Sequence, residues 1–441
     1  MLREIIYKLG LGWHPADSVS ARKRRRQRRE RAILIIVENL PVPFDARVWQ
    51  EANALRDAGF GVAVICPKGK GHTAAYERIR DIHIYRHPLP VEASGPLGFL
   101  NEYASALFWE FLLSVRVWRR HGFFAIHACN PPDLIFLIGL FYKLALRKRF
   151  VFDHHDICPE LYEAKFGRRG PLHRLLGWLE RCTFRCADAV IATNGTFKHI
   201  AVQRGKVSPE RIWVVKSYPD VSRLYRVPTS TELRAGHKYL IGYIGIMGTQ
   251  DGVDGLLGAI AHIAHARGRT EIGCIVIGDG PELANLKALA KALQIEPYVT
   301  FSGYLTGDRL LEALSSIDLG VIPDPPNVYN DKISMNKVFE YMSLGIPFVQ
   351  FDLAESVNTA GNAAVTVAEA SSAGLGDAIV ELLEDPEKRR SMSACARERA
   401  EREFQWQKEK TKLIEAYHSL LQQTAPAGQQ EAPGGLSAGR M

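Results

Sequence analysis

A chain of 441 residues is too long for one ordinary core and comfortable for two domains with connections. Its 46% hydrophobic and 24% charged content excludes the disordered and fibrous classes. The net charge of +8 suggests nucleic acid until it is located: residues 1–31 hold ten basic and three acidic residues, so they carry +7 and the remainder is nearly neutral, which disfavours a nucleic-acid groove.

The chain therefore opens with a basic arm, 1–31, whose RKRRRQRRER run is too dense in charge to pack. A solvated tail, an RNA binder and an anchor to anionic lipid all fit it. Lipid is favoured, at ~1 kcal/mol per basic residue near the surface, because an aromatic segment follows. The opening MLREIIYKLGLGW has only a brief, interrupted apolar run, so no signal peptide is read. The longest apolar stretch, Leu134 to Leu146, falls short of the roughly 20 residues of a spanning helix. Seven scattered cysteines read as small core hydrophobes of a reduced, intracellular protein. Cys182 and Cys186 could share a helix face but lack the other half of a metal set. The expectation is a cytoplasmic protein, peripheral on the inner face of the membrane.

From residue 32, short β-branched runs alternate with helical patterns, which predicts parallel sheets covered by helices. The first domain, 32–220, carries strand candidates at 32–39, 61–67, 82–88, 123–130, 149–156, 189–194 and 212–220. Several end in Glu38, His127, His155 or Asn194, which should face one crevice at the carboxyl ends of the strands. Between them, residues 97–123 place Phe99, Tyr103, Leu107, Phe111 and Val115 at helical spacing, widened by Phe108, Leu112 and Trp118. That stripe suits a core helix, or a surface that meets lipid. Residues 221–238 lack strong periodicity and read as a linker. The second domain, 239–400, has strands at 239–245, 273–280, 299–303, 319–323, 348–353 and 364–367. A C-terminal helix, 401–423, and a disordered tail rich in Pro, Gly, Ala and Gln, 424–441, complete the chain.

The most informative segment is DKISMNKVFEYMSLGIPFVQFD, 331–352. A loop leads to a helix with Ser334 as its expected cap, Glu340 lies along it, and Gly345 and Pro347 turn the chain into a strand. Free N–H groups and the positive end of the helix dipole suit a diphosphate. A carboxylate further along can accept from two ribose hydroxyls, although a lone glutamate there is more often a surface helix residue. Lys337 stands three residues before Glu340, on the same face.

This segment resembles the donor-binding helix of the retaining glycosyltransferases of family 4, whose fold is GT-B. Glu340 to Gly345 and Pro347 match the second half of that family's paired-glutamate motif, whereas Lys332 stands where the first glutamate belongs. Ser334, Met335, Asn336 and Lys337 resemble a sub-branch with a Thr/Asn-Lys pattern in that loop. The likeness runs over most of the chain, roughly Ile33 to Tyr417. GYIGIMGTQDGVDGLLGAI (242–260) is similar to the glycine-rich turn of the donor domain, with Ile246 and Asp251 roughly where relatives carry Arg and Lys. Neutralising the diphosphate is then left to the N–H groups of Gly245 to Gly248, or to Lys332 or Lys337. IVIGDGPE (275–282), with Gly278 and Asp279, matches the next strand, although a Gly-Asp-Gly run is also a common turn. On the acceptor side, Asp45 and Arg47 in PVPFDAR, and His127 in HACNPPDL, match further landmarks. In FDHHDICPELY, His155 followed by Asp156 matches the histidine that approaches the donor sugar.

The resemblance implies an α/β GT-B fold of two Rossmann-like domains facing a cleft, with a C-terminal helix crossing back to the first. It implies transfer of a sugar, with retained configuration and without metal or other cofactor, from a nucleotide-diphosphate sugar to a lipid-linked or saccharide acceptor. No Asp-x-Asp metal motif is present, and a helix N-terminus with a nearby lysine can stabilise the leaving group. Two other readings stand beside it: a sugar-nucleotide epimerase of the same fold, and a donor-binding scaffold without turnover.

Overall fold

The computed structural model describes residues 29–88, 95–219 and 224–423, the side chains of 95–100 excepted. Most of the basic arm, the first linker residues Val221 to Arg223, the tail from 424 and the side chain of Phe99 lie outside the described residues.

Two sheets form, as the alternation of runs predicts. The first holds β1 (Ala32–Val37), β2 (Gly61–Pro67), β3 (Tyr76–Ile79), β4 (Ile82–His87), β5 (Ala125–Cys129), β6 (Arg149–His154), β7 (Ala189–Ala192) and β8 (Ile212–Val214), in the order β3-β4-β2-β1-β5-β6-β7-β8. Only β3, paired antiparallel with β4 at the edge, was not legible, because YERI is short and half-exposed. The second sheet is parallel throughout. It holds β9 (Tyr239–Ile246), β10 (Ile272–Asp279), β11 (Val299–Gly303), β12 (Leu319–Ile322), β13 (Phe348–Phe351) and β14 (Ala364–Val367), in the order β11-β10-β9-β12-β13-β14.

Both faces of the second sheet are covered, and its strands divide their side chains by period two. Ile241, Tyr243, Cys274, Val276 and Val321 join Leu256, Leu257, Ile260, Ile379 and Leu383 on one face. Leu240, Ile275, Ile277 and Ile322 join Val338, Phe339, Tyr341, Met342 and Leu344 on the other. Each such buried side chain stabilises by about 1.5–3 kcal/mol, so the helix holding Glu340 is anchored by its apolar face.

The chain falls into two compact units. The first takes the residues up to Asp153, Cys182–Ile191 and everything from Leu413; the second takes His154–Arg181 and Ala192–Lys412. The C-terminal helix Trp406–Gln422 thus ends in the first unit, burying Leu413, Ala416, Tyr417 and Leu420 at helical spacing.

Helix Gly95–Arg120 resolves the ambiguity of its aromatic stripe by being two-sided. Ala106, Glu110, Ser114 and Val117 are buried, while Phe108 and Leu112 are 58% and 44% exposed. Half-buried Phe111 meets the ring of Phe141 on the neighbouring helix Phe136–Leu146 at 5.2 Å, and Leu137 and Leu144 of that helix are exposed too. Among the described residues no helix is long and apolar enough to cross a membrane. All seven cysteines are free thiols.

Candidate functional site

In the second unit, two glycine loops leave the carboxyl ends of β9 and β10 pressed together. Gly278 has φ +139°, and a Cβ there would lie 1.9 Å from the Gly245 carbonyl oxygen. A Cβ on Gly280 would lie 2.5 Å from the Met247 carbonyl oxygen. Only glycine permits this approach. Exposed Ile246 projects from the first loop, and Asp279 at the end of β10 accepts from the Gly280 N–H at 2.9 Å. The Gly248 N–H is already engaged by the Asp251 carboxylate at 3.0 Å.

The donor-site helix is Asn336–Ser343, one residue later than its expected start. Met335 occupies the cap position and no side chain caps the helix; of the first turn, the Val338 N–H donates to the Met335 carbonyl at 3.1 Å, so a ligand would be met by the N–H groups before it. Ser334 is not the cap because its hydroxyl is taken elsewhere. The buried amide of Asn194 donates to Ser334 Oγ at 3.1 Å and to the Lys332 carbonyl at 2.8 Å, while its oxygen caps helix Gly195–Gln203 through the Phe197 N–H.

Both candidate lysines are committed to carboxylates. Lys337 Nζ donates to Asp324 Oδ2 at 2.6 Å, with both side chains nearly inaccessible, and lies 4.8 Å from the centre of the Tyr243 ring. Burial lifts the carboxyl of Asp324, and Lys337 pulls it back. Asp251 is pushed up to about 6, chiefly by burial, with Lys337 opposing and Asp324 adding. Glu340, one turn along, is pushed up to about 7 by burial against the pull of Lys337. It also acts electrostatically on exposed Tyr304, just past β11. Lys332 Nζ reaches Glu160 Oε1 at 3.1 Å, and the same carboxylate is held by Arg204 at 2.9 Å, which keeps it below the usual carboxylate range despite burial.

At the end of β6, His154 is fully buried against the Phe197 ring, 4.8 Å between centroids, and His155, the first residue past the strand, is half-buried. Asp156 accepts from the Tyr329 hydroxyl at 2.5 Å.

The first unit holds the acceptor-side candidates. Asp45 caps helix Ala46–Asp57 by accepting from the Val48 N–H at 3.0 Å. Arg47 pairs with Asp153 at 2.8 Å and Glu51 at 3.0 Å. His127 bonds Asp153 at 3.1 Å through Nε2 and the Tyr417 hydroxyl at 2.6 Å through Nδ1. Ligand atoms of His127, Cys129 and Asp153 come within 4.8 Å of one another, but a guanidinium on Asp153 opposes a cation there.

Asp324, Tyr329 and Glu160 escaped sequence reasoning, whereas Asn194 was singled out there only as a strand end. The run IPDPPNVYND (322–331), polar residues bunched after a strand, was the available signal for the first two.

Residues 46–223 match a model described as Glycosyltransferase Family 4, and residues 238–385 match one described as Glycosyl transferases group 1. N-acetyl-alpha-D-glucosaminyl L-malate synthase of Bacillus anthracis is 28% identical over 150 residues, 33% of this chain. The match spans 37% of that relative's length. Among solved structures, sucrose-phosphate synthase from Thermosynechococcus elongatus superposes with a TM-score of 0.72 at 17% identity, covering 90% of this chain and 100% of that one. Anabaena HepE in complex with UDP-glucose gives 0.65 at 17%, covering 88% and 99%. WaaG, a glycosyltransferase involved in lipopolysaccharide biosynthesis, gives 0.64 at 17%, also covering 88% and 99%. At such identities the likeness establishes the fold.

Proposed function

The chain belongs to glycosyltransferase family 4, group 1, with the GT-B fold, and from that premise we propose that it moves a sugar from a nucleotide-diphosphate donor to a membrane-proximal acceptor. The observation that carries the reading is the uncapped N-terminus of helix Asn336–Ser343, with Glu340 one turn along it, beside the paired glycine loops. The first-turn N–H groups receive the diphosphate, and the Glu340 carboxylate accepts from the two ribose hydroxyls. As the glycosidic bond loosens, charge grows on the leaving diphosphate, and the helix terminus with Lys337 answers it. Lys337 then shares its charge between Asp324 and the phosphate. His155 and Asp156 stand at the donor-sugar end. Retention of configuration and independence of metal belong to this reading. UDP-sugars are the donors to try first, given the UDP-glucose complex of the HepE relative.

The membrane side rests on the exposed Phe108, Leu112, Leu137 and Leu144, with Arg116 and Arg119 near the end of the long helix Gly95–Arg120. It makes the protein peripheral on an anionic leaflet and the acceptor lipid-linked or a polysaccharide precursor. A second reading, donor binding without turnover, is favoured by the commitment of both Lys332 and Lys337 to carboxylates.

The test is a screen of nucleotide sugars for binding, followed by product analysis with lipid-linked acceptors. Glu340→Ala should weaken donor and free nucleoside diphosphate alike by about 1.5–3 kcal/mol. Undiminished nucleoside-diphosphate affinity in a folded variant removes Glu340 from the site. Donor binding without transfer to any acceptor leaves the scaffold reading.

A further inference from the structure

A cavity of about 670 Å³ opens at the amino-terminal edge of the first sheet, within the first unit and at the opposite ends of the strands from Glu38 and Asp153. Its floor is the start of β1 and β2, Ala32, Ile33, Val62 and Ala63, all buried. Arg29, Arg31, Arg56, Arg78 and Arg120 line it, against one lining carboxylate, Asp81. Arg78 takes that carboxylate at 2.6 Å, and Arg56 pairs with Asp57 outside the cavity. Among the described residues Arg31 and Arg120 have no acidic partner. Arg31 is held by the Phe60 ring, 5.3 Å from its centroid. Arg29 gives one nitrogen to the Arg119 carbonyl at 2.7 Å, while its Nε is buried with no partner.

Like charges gathered in a half-enclosed space repel one another, and water alone compensates them poorly there. The neighbouring rings register that field. His83 and His121 stack at 4.0 Å, and His121 is pushed down to about 4, first by burial, then by His83, Arg120, Arg29 and Arg78. Its Nε2 instead meets the Tyr85 hydroxyl at 2.7 Å.

We propose that this cavity is a second, non-catalytic binding site for a phosphate-bearing anion. The arginine forks match phosphate oxygens two by two, and three of them, Arg29, Arg31 and Arg120, have no carboxylate partner among the described residues. The volume lies in the range of small-ligand pockets. Its place at the amino-terminal edge separates it from the carboxyl-edge crevice where this fold class binds substrates. The phosphate can belong to a soluble metabolite or to a lipid headgroup.

Equilibrium dialysis of the full chain with labelled inorganic pyrophosphate, at saturating UDP to occupy the donor site, tests this. One equivalent should remain bound. Arg31→Ser with Arg120→Ser should weaken it by about tenfold or more, and the matching lysine pair should keep part of the affinity. Transfer rate should stay unchanged in both. Sedimentation with phosphatidylglycerol and phosphatidylcholine vesicles forms the second arm. Loss of phosphatidylglycerol binding in the serine pair, with no retained pyrophosphate in the wild type, assigns the site to a headgroup phosphate. Displacement of all pyrophosphate by UDP, together with vesicle binding indifferent to these arginines, overturns the proposal. The lysine pair guards against misfolding: if it folds yet matches the wild type for an uncharged control only, the outcome also counts against the site.

Discussion

Replacing Lys337 by methionine removes a charge while keeping most of the side-chain volume. The structure makes the consequence first one of stability. Asp324 is 2% exposed and its carboxylate takes Lys337 Nζ at 2.6 Å, so the variant strands a buried charge, at a cost of about 3–5 kcal/mol. That cost can be relieved by a proton. Asp324 already sits above its unfolded value, so its protonation favours the fold, and the associated stability declines as pH rises through the folded value. Without Lys337 the folded value climbs further, and Asp251 and Glu340 lose the same opposing influence. Urea unfolding of the variant should therefore show a smaller loss at about pH 5.5 and the full loss at about pH 8.5, each further unit of pKa adding about 1.4 kcal/mol to the difference. Asp324→Asn combined with Lys337→Met should recover most of the deficit. A loss equal at both pH values, or below about 1 kcal/mol at either, refutes the reasoning. Transfer by the folded variant should fall by about 100-fold if the lysine also serves the leaving diphosphate.

Donor affinity should weaken as pH falls below about 7, because Glu340 titrates there and only its carboxylate accepts from both hydroxyls. Between about pH 8 and pH 6 the loss should approach tenfold by calorimetry with UDP, and Glu340→Gln should flatten it; a profile unchanged by that substitution assigns the titration to another group. Asn194→Asp should keep the cap on helix Gly195–Gln203 yet turn a carboxylate toward the Lys332 carbonyl, lowering stability by about 1–3 kcal/mol in thermal melts, whereas wild-type stability would mean the amide does not pin that loop. Deleting residues 1–28 should reduce sedimentation with anionic vesicles while leaving transfer to a soluble acceptor analogue intact; full vesicle binding at physiological salt would dismiss the arm as anchor.

The strands were legible because short continuous β-branched runs, several ended by polar residues, leave few alternatives; FVQF and LGVI are buried throughout and pair in parallel. What stayed hidden has a common physical origin. The partner of Lys337 lies 13 residues away and that of Lys332 lies 172 away, so each lysine read as spare charge until tertiary packing supplied its carboxylate. Ser334 looked like a cap by type and position, but a buried amide from another element claimed its hydroxyl. Strand β3 has no apolar run to announce it, since an edge strand with polar alternation buries little. Spacing and residue type carried the glycine loops, whose close approach only glycine permits.

The return of the C-terminal helix to the first unit has a consequence for how the chain is made. His127 waits for Tyr417, 290 residues later, and Phe60 for the same ring at 5.7 Å. At roughly 5–20 residues per second the ribosome delivers that ring about 15–60 s after His127. Through that interval the nascent first unit must hold open the groove that Leu413, Tyr417 and Leu420 will fill. The unit begun first is thus the last to close. A gene cut at the linker would yield an amino-terminal half lacking its own final wall, so expressing the halves separately should need the peptide 406–423 in trans to keep that half from aggregating.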